Sequence, residues 1–240
     1  MINLGIIGFG YWGPNLVRNF NSTSGCKVVS ICDLAEENLI KAKQSYSSVY
    51  VTTNYQEVVR SSEVHAVIIA TPVTSHFAIA KEALENGKHI FVEKPFTFSV
   101  KEAETLVELA QKKNLKIMVD HTFLFTGAIK CIKKSLDEDA LGKLFYYDST
   151  RIRLGAFQGD VDVIWDLAPH DLSILDYLIK DHPVAISAQG MDHFDTGRIN
   201  FASLFVYYPG KFIAQMRLNW LSPVGPKCLS RCASRPLNSI

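Results

Sequence analysis

The chain has 240 residues, 48% of them hydrophobic and 20% charged, and a formal net charge of +1. This composition is typical of a soluble globular protein, and the near-neutral charge offers no electrostatic footprint for nucleic acid. We find no apolar run long enough for a transmembrane helix, and the apolar N-terminal residues predict a strand rather than a signal peptide. The five cysteines match no zinc or disulfide spacing. We therefore expect a protein of the reducing cytoplasm.

Strand-like and helical patterns alternate over residues 1–122. Short apolar runs predict buried parallel strands, and the amphipathic segments between them predict helices. Asn54 and the pair Ser99 and Glu102 provide helix caps. The predicted strands are 2–7, 27–32, 48–52, 65–70, 88–92 and 116–120, and the predicted helices include 14–20, 35–46, 74–86 and 99–113. This alternation predicts an α/β domain of the Rossmann type, with a doubly wound parallel sheet.

The pattern changes over residues 123–224. We predict helices at 127–137 and 169–180, a long strand at 143–154, and further strands at 184–192, 199–208 and 211–221. The last strand alternates apolar with polar residues, and Pro209-Gly210 predicts a hairpin turn before it. The pattern predicts a second, α+β domain with an open, mainly antiparallel sheet.

A glycine-rich segment lies between the first predicted strand and the first predicted helix. It consists of Gly8, Phe9, Gly10, Tyr11, Trp12 and Gly13. In such a GxGxxG turn, the first glycine permits a tight turn, the second lets the backbone approach a pyrophosphate, and the third permits close helix–strand packing. The N-terminus of the following helix attracts the phosphates. The segment therefore predicts a dinucleotide site.

Asp33 ends the second predicted strand, twenty residues after Gly13. Folds of this kind place a carboxylate there to accept hydrogen bonds from the adenosine ribose. Because such a carboxylate repels a 2′-phosphate, Asp33 predicts NAD rather than NADP as the cofactor. The alternative is a strand-end aspartate that only starts a turn.

Three residues outside the glycine segment are candidates for catalysis. Lys94 follows the predicted strand 88–92, at the carboxyl edge where parallel sheets bind ligands, and Asp166 and His170 have the spacing of one helix face. Alcohol oxidation needs a base for the hydroxyl proton, which suits a histidine, and a cation at the substrate oxygen, which suits Lys94. Asp166 can pair with Lys94 or orient His170. The alternatives are a surface lysine, an N-cap aspartate and a surface histidine.

Two other histidines, His76 and His121, lie on predicted loops near the cofactor edge and are further candidates. No pair of histidines has a convincing metal-ligand spacing. A nicotinamide that carries the hydride also makes a metal unnecessary. We therefore predict that the protein has no metal site.

Together these motifs resemble those of the Gfo/Idh/MocA oxidoreductases over roughly residues 1–224. The resemblance rests on Gly8–Gly13, Asp33, Ala70-Thr71-Pro72, Glu93-Lys94-Pro95 and the Asp166-x-x-x-His170 spacing. It implies a Rossmann domain, then an α/β domain whose open sheet often supports homo-oligomers, with Lys94, Asp166 and His170 as the catalytic group. The implied NAD site is lined by Thr71, Pro72, His76, Glu93, Lys94 and His121.

Residues 151–155 and 165–171 look most like the branch of that family that acts on nucleotide-linked sugars, often at C3 of a UDP-N-acetylhexosamine. The resemblance implies a sugar or nucleotide-sugar substrate held by Lys94, Arg153, Asp166 and His170. Arg153 would contact a phosphate or carboxylate; the alternative is a surface arginine at a strand edge. In two small departures, Ala168 replaces a frequent glycine and Ser173 a frequent aspartate.

The sequence departs more strongly from the family pattern after residue 224. Family members usually continue well beyond this point, which implies that the second domain, 123–224, is truncated and its sheet incomplete. Residues 225–240 show no hydrophobic period and contain no acidic residue. We therefore predict an atypical, disordered tail.

The function predicted from these observations is hydride transfer between a sugar hydroxyl carbon and the nicotinamide of NAD. One alternative is a catalytically silent dinucleotide- or sugar-binding protein, or an inert truncated remnant. Another is an inositol or polyol dehydrogenase, which differs in substrate only. We expect no nucleic-acid or membrane partner.

Overall fold

The computed structural model describes residues 1–154, 159–223 and 227–234. The chain divides into two compact units, Met1–Asp120 and His121–Ile240. The first unit contains a parallel sheet, and the second contains a mixed sheet. Over the described ranges, no helix has the length and apolar character needed to cross a bilayer.

Six parallel strands form the sheet of the first unit, in the order β3-β2-β1-β4-β5-β6. The strands are β1 (Ile2–Ile7), β2 (Cys26–Cys32), β3 (Tyr50–Thr52), β4 (Ala66–Ile69), β5 (His89–Val92) and β6 (Ile117–Val119), and the helices are α1 (Gly13–Ser22), α2 (Glu36–Ser45), α3 (Tyr55–Arg60), α4 (Val73–Glu85) and α5 (Val100–Lys112). The strand order reverses between β1 and β4, which is where sheets of this kind bind ligands. The predicted doubly wound parallel sheet is confirmed.

Alternate residues of the central strands supply two separate hydrophobic clusters. Ile6 of β1 belongs to one cluster with Leu16 of α1, whereas its neighbour Ile7 belongs to the other with Ile79 of α4. Successive side chains of a strand point to opposite faces, so helices cover both faces of the sheet. The predicted helix caps are also present: Ser99 and Glu102 form a capping box at α5, and the Asn54 side chain accepts a hydrogen bond from the Gln56 amide at α3.

The second unit is built on a five-stranded sheet with the order β11-β7-β10-β9-β8. Its strands are β7 (Leu144–Ile152), β8 (Ala185–Met191), β9 (Phe201–Tyr207), β10 (Ile213–Asn219) and β11 (Lys227–Ser234), and its helices are α6 (Gly127–Asp137) and α7 (Val163–Leu178), preceded by a 3-10 turn (Thr122–Phe125). Among these strands, β7 and β10 pair in parallel and the other neighbours are antiparallel. The predicted open, mainly antiparallel sheet is therefore confirmed, as is the hairpin turn before β10.

The sheet of the second unit has one buried and one exposed face. Leu204 and Val206 of β9 lie in a buried cluster with Leu167 and Ile174 of α7. The alternate residues of β9 are more exposed, and every residue of β8 is exposed. The face of the sheet away from α7 therefore carries apolar side chains that this unit leaves accessible, including Tyr146, Met191, Phe201 and Tyr207.

Helix α7 begins at Val163, six residues before the predicted start at 169. Asp162 caps it, because its Oδ1 accepts hydrogen bonds from the amides of Ile164 at 3.0 Å and Trp165 at 2.9 Å. Pro169 therefore lies inside the helix rather than in its first turn. It has no N–H to donate to the carbonyl of Trp165, four residues earlier. The prediction failed because it took the proline, and not Asp162, as the start signal.

The predicted disordered tail also differs from the structure. Lys227–Ser234 forms β11, which pairs antiparallel with β7 from Lys227↔Ile152 to Ser234↔Leu144. Residues 225–226 and 235–240 lie outside the described residues. The free edge of β7 offers unpaired N–H and C=O groups to any extended segment, and residues 227–234 contain no proline or glycine to oppose pairing. Backbone pairing of this kind does not require a hydrophobic period.

Candidate active site

The glycine segment forms the turn between β1 and α1. Gly8 has φ +99°, and a Cβ there would lie 2.5 Å from the Ala70 carbonyl oxygen. A Cβ on Gly13 would lie 2.4 Å from the Gly8 carbonyl oxygen. By contrast, no described heavy atom beyond its chain neighbours lies within 4 Å of a Cβ built on Gly10. Backbone atoms therefore leave no room for a side chain at Gly8 or Gly13, whereas the space next to Gly10 is open. A diphosphate needs such open space to approach the backbone.

Three residues of this turn are aromatic. Phe9 is buried, whereas Tyr11 is 85% exposed and Trp12 is 41% exposed, with their rings stacked at 6.3 Å. Trp12 is the N-cap residue of α1. An indole has no acceptor for the helix amides. The positive end of α1 is therefore not neutralised by its own cap, which suits a phosphate.

Asp33 connects the glycine turn to the start of α2. Its Oδ2 accepts the Phe9 amide at 2.6 Å, and its Oδ1 accepts the Ala35 amide at 2.8 Å and the Asn38 side-chain amide at 3.2 Å. Each carboxylate oxygen has two lone pairs, so Oδ2 retains capacity for a further donor such as a ribose hydroxyl. This geometry is compatible with both sequence interpretations, the turn-forming aspartate and the ribose ligand.

Thr71, Pro72 and His76 follow β4. The Ser75 hydroxyl lies 2.7 Å from Thr71 Oγ1 and 2.8 Å from the Pro72 carbonyl. The buried His76 ring links two loops, because its Nε2 is 2.8 Å from the Thr71 carbonyl and its Nδ1 is 3.0 Å from the Pro95 carbonyl. These contacts give His76 a structural role in holding the loop after β4 to the loop after β5.

Glu93 and Lys94 follow β5, and Asp120 follows the adjacent β6. Val92 pairs with Val119 in the register of these strands, which brings Glu93 and Asp120 together. Burial of the Glu93 carboxyl, and the charge and hydrogen bond of Asp120, raise the pKa of Glu93 from 4.5 to about 8. The Glu93 carboxyl therefore holds its proton more tightly than a free carboxyl does. Sequence reasoning missed Asp120, although an aspartate at the carboxyl end of a parallel strand is a signal that could have found it.

Asp166 and His170 lie one turn apart on α7, as predicted. Asp166 is 6% exposed, and its Oδ2 accepts a hydrogen bond from the Trp220 indole N–H at 3.1 Å. The His170 ring packs edge to face with Phe123 of the 3-10 turn, with 4.9 Å between the ring centroids. Each of the two α7 side chains is therefore contacted by an aromatic residue from another element. Neither Trp220 nor Phe123 was among the predicted site residues.

A buried ion pair lies directly beside these residues. Arg151 of β7 donates from Nε to Asp171 Oδ2 at 2.9 Å and from Nη2 to Oδ1 at 3.2 Å. Burial opposes the charge on Arg151, but the hydrogen bonds and charge of Asp171 outweigh it and raise the Arg151 pKa. The predicted substrate ligand was Arg153, which follows β7; its amide donates to the Asn219 carbonyl at 2.8 Å.

The predicted site residues divide between the two units. Those at the carboxyl ends of β1, β2, β4 and β5 belong to the first unit: Gly8–Gly13, Asp33, Thr71, Pro72, His76, Glu93 and Lys94. His121, Arg153, Asp166 and His170 belong to the second. His121 is its first residue, and its carbonyl accepts the Leu124 amide at 3.0 Å.

The fold and the glycine turn define a dinucleotide-binding Rossmann unit. The model of the Gfo/Idh/MocA family, an oxidoreductase family with an NAD-binding Rossmann fold, matches residues 2–121. The chain belongs to this family. The predicted family and its NAD cofactor are confirmed.

Relatives with curated descriptions match most of the chain. A UDP-N-acetylglucosamine 3-dehydrogenase from Acidithiobacillus ferrooxidans is 30% identical over 190 residues, which is 78% of this chain and 57% of that protein. A 2,7-anhydro-N-acetylneuraminate hydratase from Mediterraneibacter gnavus is 27% identical over 150 residues, covering 62% of this chain and 39% of that protein. The chain thus spans only about half the length of such relatives.

Solved structures share the fold. A scyllo-inositol dehydrogenase from Lactobacillus casei, crystallised with NAD(H) and scyllo-inositol, aligns with a TM-score of 0.88 at 19% identity, over 98% of this chain and 74% of that one. At this identity the likeness shows the fold alone. It agrees with the Rossmann unit and the mixed second sheet described above.

Proposed function

We propose that this protein is an NAD-dependent dehydrogenase that transfers a hydride between a sugar hydroxyl carbon and nicotinamide, with a nucleotide-linked sugar as the substrate. The observation that carries the proposal is the combination of an open glycine turn with Lys94 after β5 and an Asp166–His170 pair on α7. Similarity to a UDP-N-acetylglucosamine 3-dehydrogenase supports the substrate class.

The bound nicotinamide would supply the hydride acceptor. The remaining chemistry falls to this chain. His170 takes the hydroxyl proton as general base. Lys94 holds the substrate oxygen and stabilises the charge that develops on it. Asp166, held by Trp220, would orient His170.

Asp33 is proposed to set the choice of cofactor. Its carboxylate would accept a ribose hydroxyl and repel the 2′-phosphate of NADP. Because the same carboxylate holds the Phe9 amide, Asp33→Ala would also disturb the glycine turn. Asp33→Asn is the sharper variant, since it removes the charge and keeps an acceptor oxygen. We expect the unmodified protein to bind NAD more tightly than NADP, and Asp33→Asn to reduce this difference in affinity.

Thermal-shift measurements test the proposal before any turnover is found. Ligands that bind the native state stabilise it by mass action, by about 2.7 kcal/mol at a hundred times Kd. We expect NAD to raise Tm more than NADP, and UDP-N-acetylglucosamine to raise it further in the presence of NAD. Equal shifts with NAD and NADP would contradict the role of Asp33. No shift with any nucleotide sugar would contradict the substrate class.

An inositol or polyol substrate, the alternative that the sequence left open, is the second candidate. The thermal shift caused by UDP without a sugar distinguishes a nucleotide-sugar substrate from a polyol substrate. If Arg153 binds a diphosphate, UDP raises Tm and Arg153→Gln abolishes this rise. A polyol dehydrogenase would respond to scyllo-inositol and not to UDP. A catalytically silent binding protein would show ligand shifts without any turnover.

Self-association is proposed through the exposed face of the second sheet. Tyr146, Met191, Phe201 and Tyr207 are exposed apolar residues there, and large exposed apolar patches mark interaction sites. Analytical ultracentrifugation of the protein and of a Met191→Lys variant tests this. A monomer at every concentration would contradict it.

A further inference from the structure

The Phe123 ring contacts two groups of the second unit. One is His170, whose ring centroid lies 4.9 Å away at an interplanar angle of 76°. The other is Arg151, whose guanidinium carbon lies over the ring, 4.4 Å from its centroid. Phe123 therefore joins the proposed general base to a buried cation that the proposed reaction does not use.

The Arg151 guanidinium is held in one orientation. Its side chain is 8% exposed and its partner Asp171 is fully buried. The two parallel hydrogen bonds to the Asp171 carboxylate fix the plane of the fork as well as its position. Tyr147, also buried, places its hydroxyl 3.5 Å from the same carboxylate. A cation over an aromatic face attracts the ring, so the fixed guanidinium also fixes Phe123.

Asp171 directly follows His170 in α7. The ion pair is therefore connected to His170 in two ways: through the backbone of α7, and through the Phe123 ring. The second connection acts on the imidazole ring itself, because the terminal torsion of a histidine is broad and roughly two-fold. Fixing the backbone alone does not choose between the two imidazole orientations, which exchange the positions of Nδ1 and Cδ2 and those of Nε2 and Cε1.

We propose that Phe123 is a positioning residue for His170, and that its ring, held in place by the Arg151–Asp171 pair, restricts the imidazole to one orientation. The inference rests on the proposed role of His170 in catalysis. Phe123 itself takes no proton and touches no reacting atom. Its contribution is the geometry in which His170 meets the hydroxyl, where a displacement of about 1 Å can cost a hundredfold in rate.

The first test uses NMR of the ring signals of the seven histidines and needs no substrate. The variant is Phe123→Leu, and the matched control is Phe125→Leu in the same 3-10 turn, where the ring is 57% exposed and contacts Lys130. We expect Phe123→Leu to shift and broaden the His170 signals, and Phe125→Leu to leave them in place. Unchanged His170 signals in Phe123→Leu would overturn the proposal.

Relaxation of the His170 ring in the unmodified protein keeps the proposal testable if Phe123→Leu does not fold. A ring as rigid as the backbone supports positioning, and a ring that averages between orientations overturns it. Phe123→Tyr should keep the wild-type signals, because it retains the aromatic face.

The second test uses turnover of UDP-N-acetylglucosamine with NAD. We expect Phe123→Leu to lower kcat about tenfold to a hundredfold while KM stays near the wild-type value, and Phe123→Tyr to restore kcat. An equal loss in Phe125→Leu, or a loss confined to KM, would overturn the proposal. If the NMR response is present but no sugar or polyol is turned over, the positioning inference stands and the proposed function fails.

Discussion

Removal of the Asp171 carboxylate tests how the second unit holds α7. The variant Asp171→Asn keeps the shape of the side chain and removes its charge. Arg151 would then be left 8% exposed, with its charge unpaired and its two charged hydrogen bonds lost or weakened. The Tyr147 hydroxyl would also face an uncharged group.

The expected loss follows from these contacts. Hydrogen bonds to charged groups contribute about 1.5–3 kcal/mol each, and breaking a buried pair by removing one partner costs about 3–5 kcal/mol. We therefore expect Asp171→Asn to lower the free energy of unfolding by about 3–5 kcal/mol, a large part of the usual 5–15 kcal/mol. The double variant Arg151→Met, Asp171→Leu should lose much less, because it leaves no unpaired charge.

Urea unfolding followed by tryptophan fluorescence measures this loss. The chain has three tryptophans, and a Trp12→Phe background leaves only Trp165 and Trp220, both in the second unit. The signal then reports the unit that contains the ion pair. A loss below about 1 kcal/mol, the value of an exposed pair, would refute the reasoning. A double variant less stable than both single variants would refute it as well.

Three further predictions concern stability and order. Burial and Asp120 raise the pKa of Glu93 from 4.5 to about 8, so the folded state keeps a proton that the unfolded state releases. The free energy of unfolding should therefore fall as pH rises from about 4.5 to about 8, and Tm should depend less on pH in Glu93→Gln. The same dependence of Tm on pH in both proteins would contradict this. Asp162→Ala should cost about 1 kcal/mol in the same urea assay by removing the cap of α7, and no loss would contradict the cap. Amides of β11 that pair with β7 should be protected in hydrogen exchange, and exchange at the rate of an unfolded peptide would contradict that pairing.

Much of the first unit could be predicted because its signals are local. Strands β1 and β4 are short apolar runs. Gly8 and Gly13 are required in the β1–α1 turn because a Cβ at either would clash with the neighbouring backbone, and this requirement recurs in folds of this kind. The capping box at Ser99 is readable over four residues. These patterns need no knowledge of distant contacts.

The features that escaped prediction depend on register and tertiary pairing. Asp120 meets Glu93 only because β5 and β6 are neighbours, and Arg151 meets Asp171 only because β7 packs beside α7. Residues 227–234 form a strand because β7 offers an edge, and their own sequence does not predict it. Helix α7 begins at Val163 because Asp162 caps it there, whereas Pro169 led us to expect a later start.

The central claim is tested most directly by the rate of NAD reduction with UDP-N-acetylglucosamine, followed by nicotinamide absorbance. The comparison is between the unmodified protein, Lys94→Ala, His170→Ala and the control His182→Ala, whose side chain is exposed. The account predicts that Lys94→Ala and His170→Ala still bind NAD but lose at least about a hundredfold in turnover, and that His182→Ala keeps the wild-type rate. Wild-type turnover in Lys94→Ala or His170→Ala would contradict it.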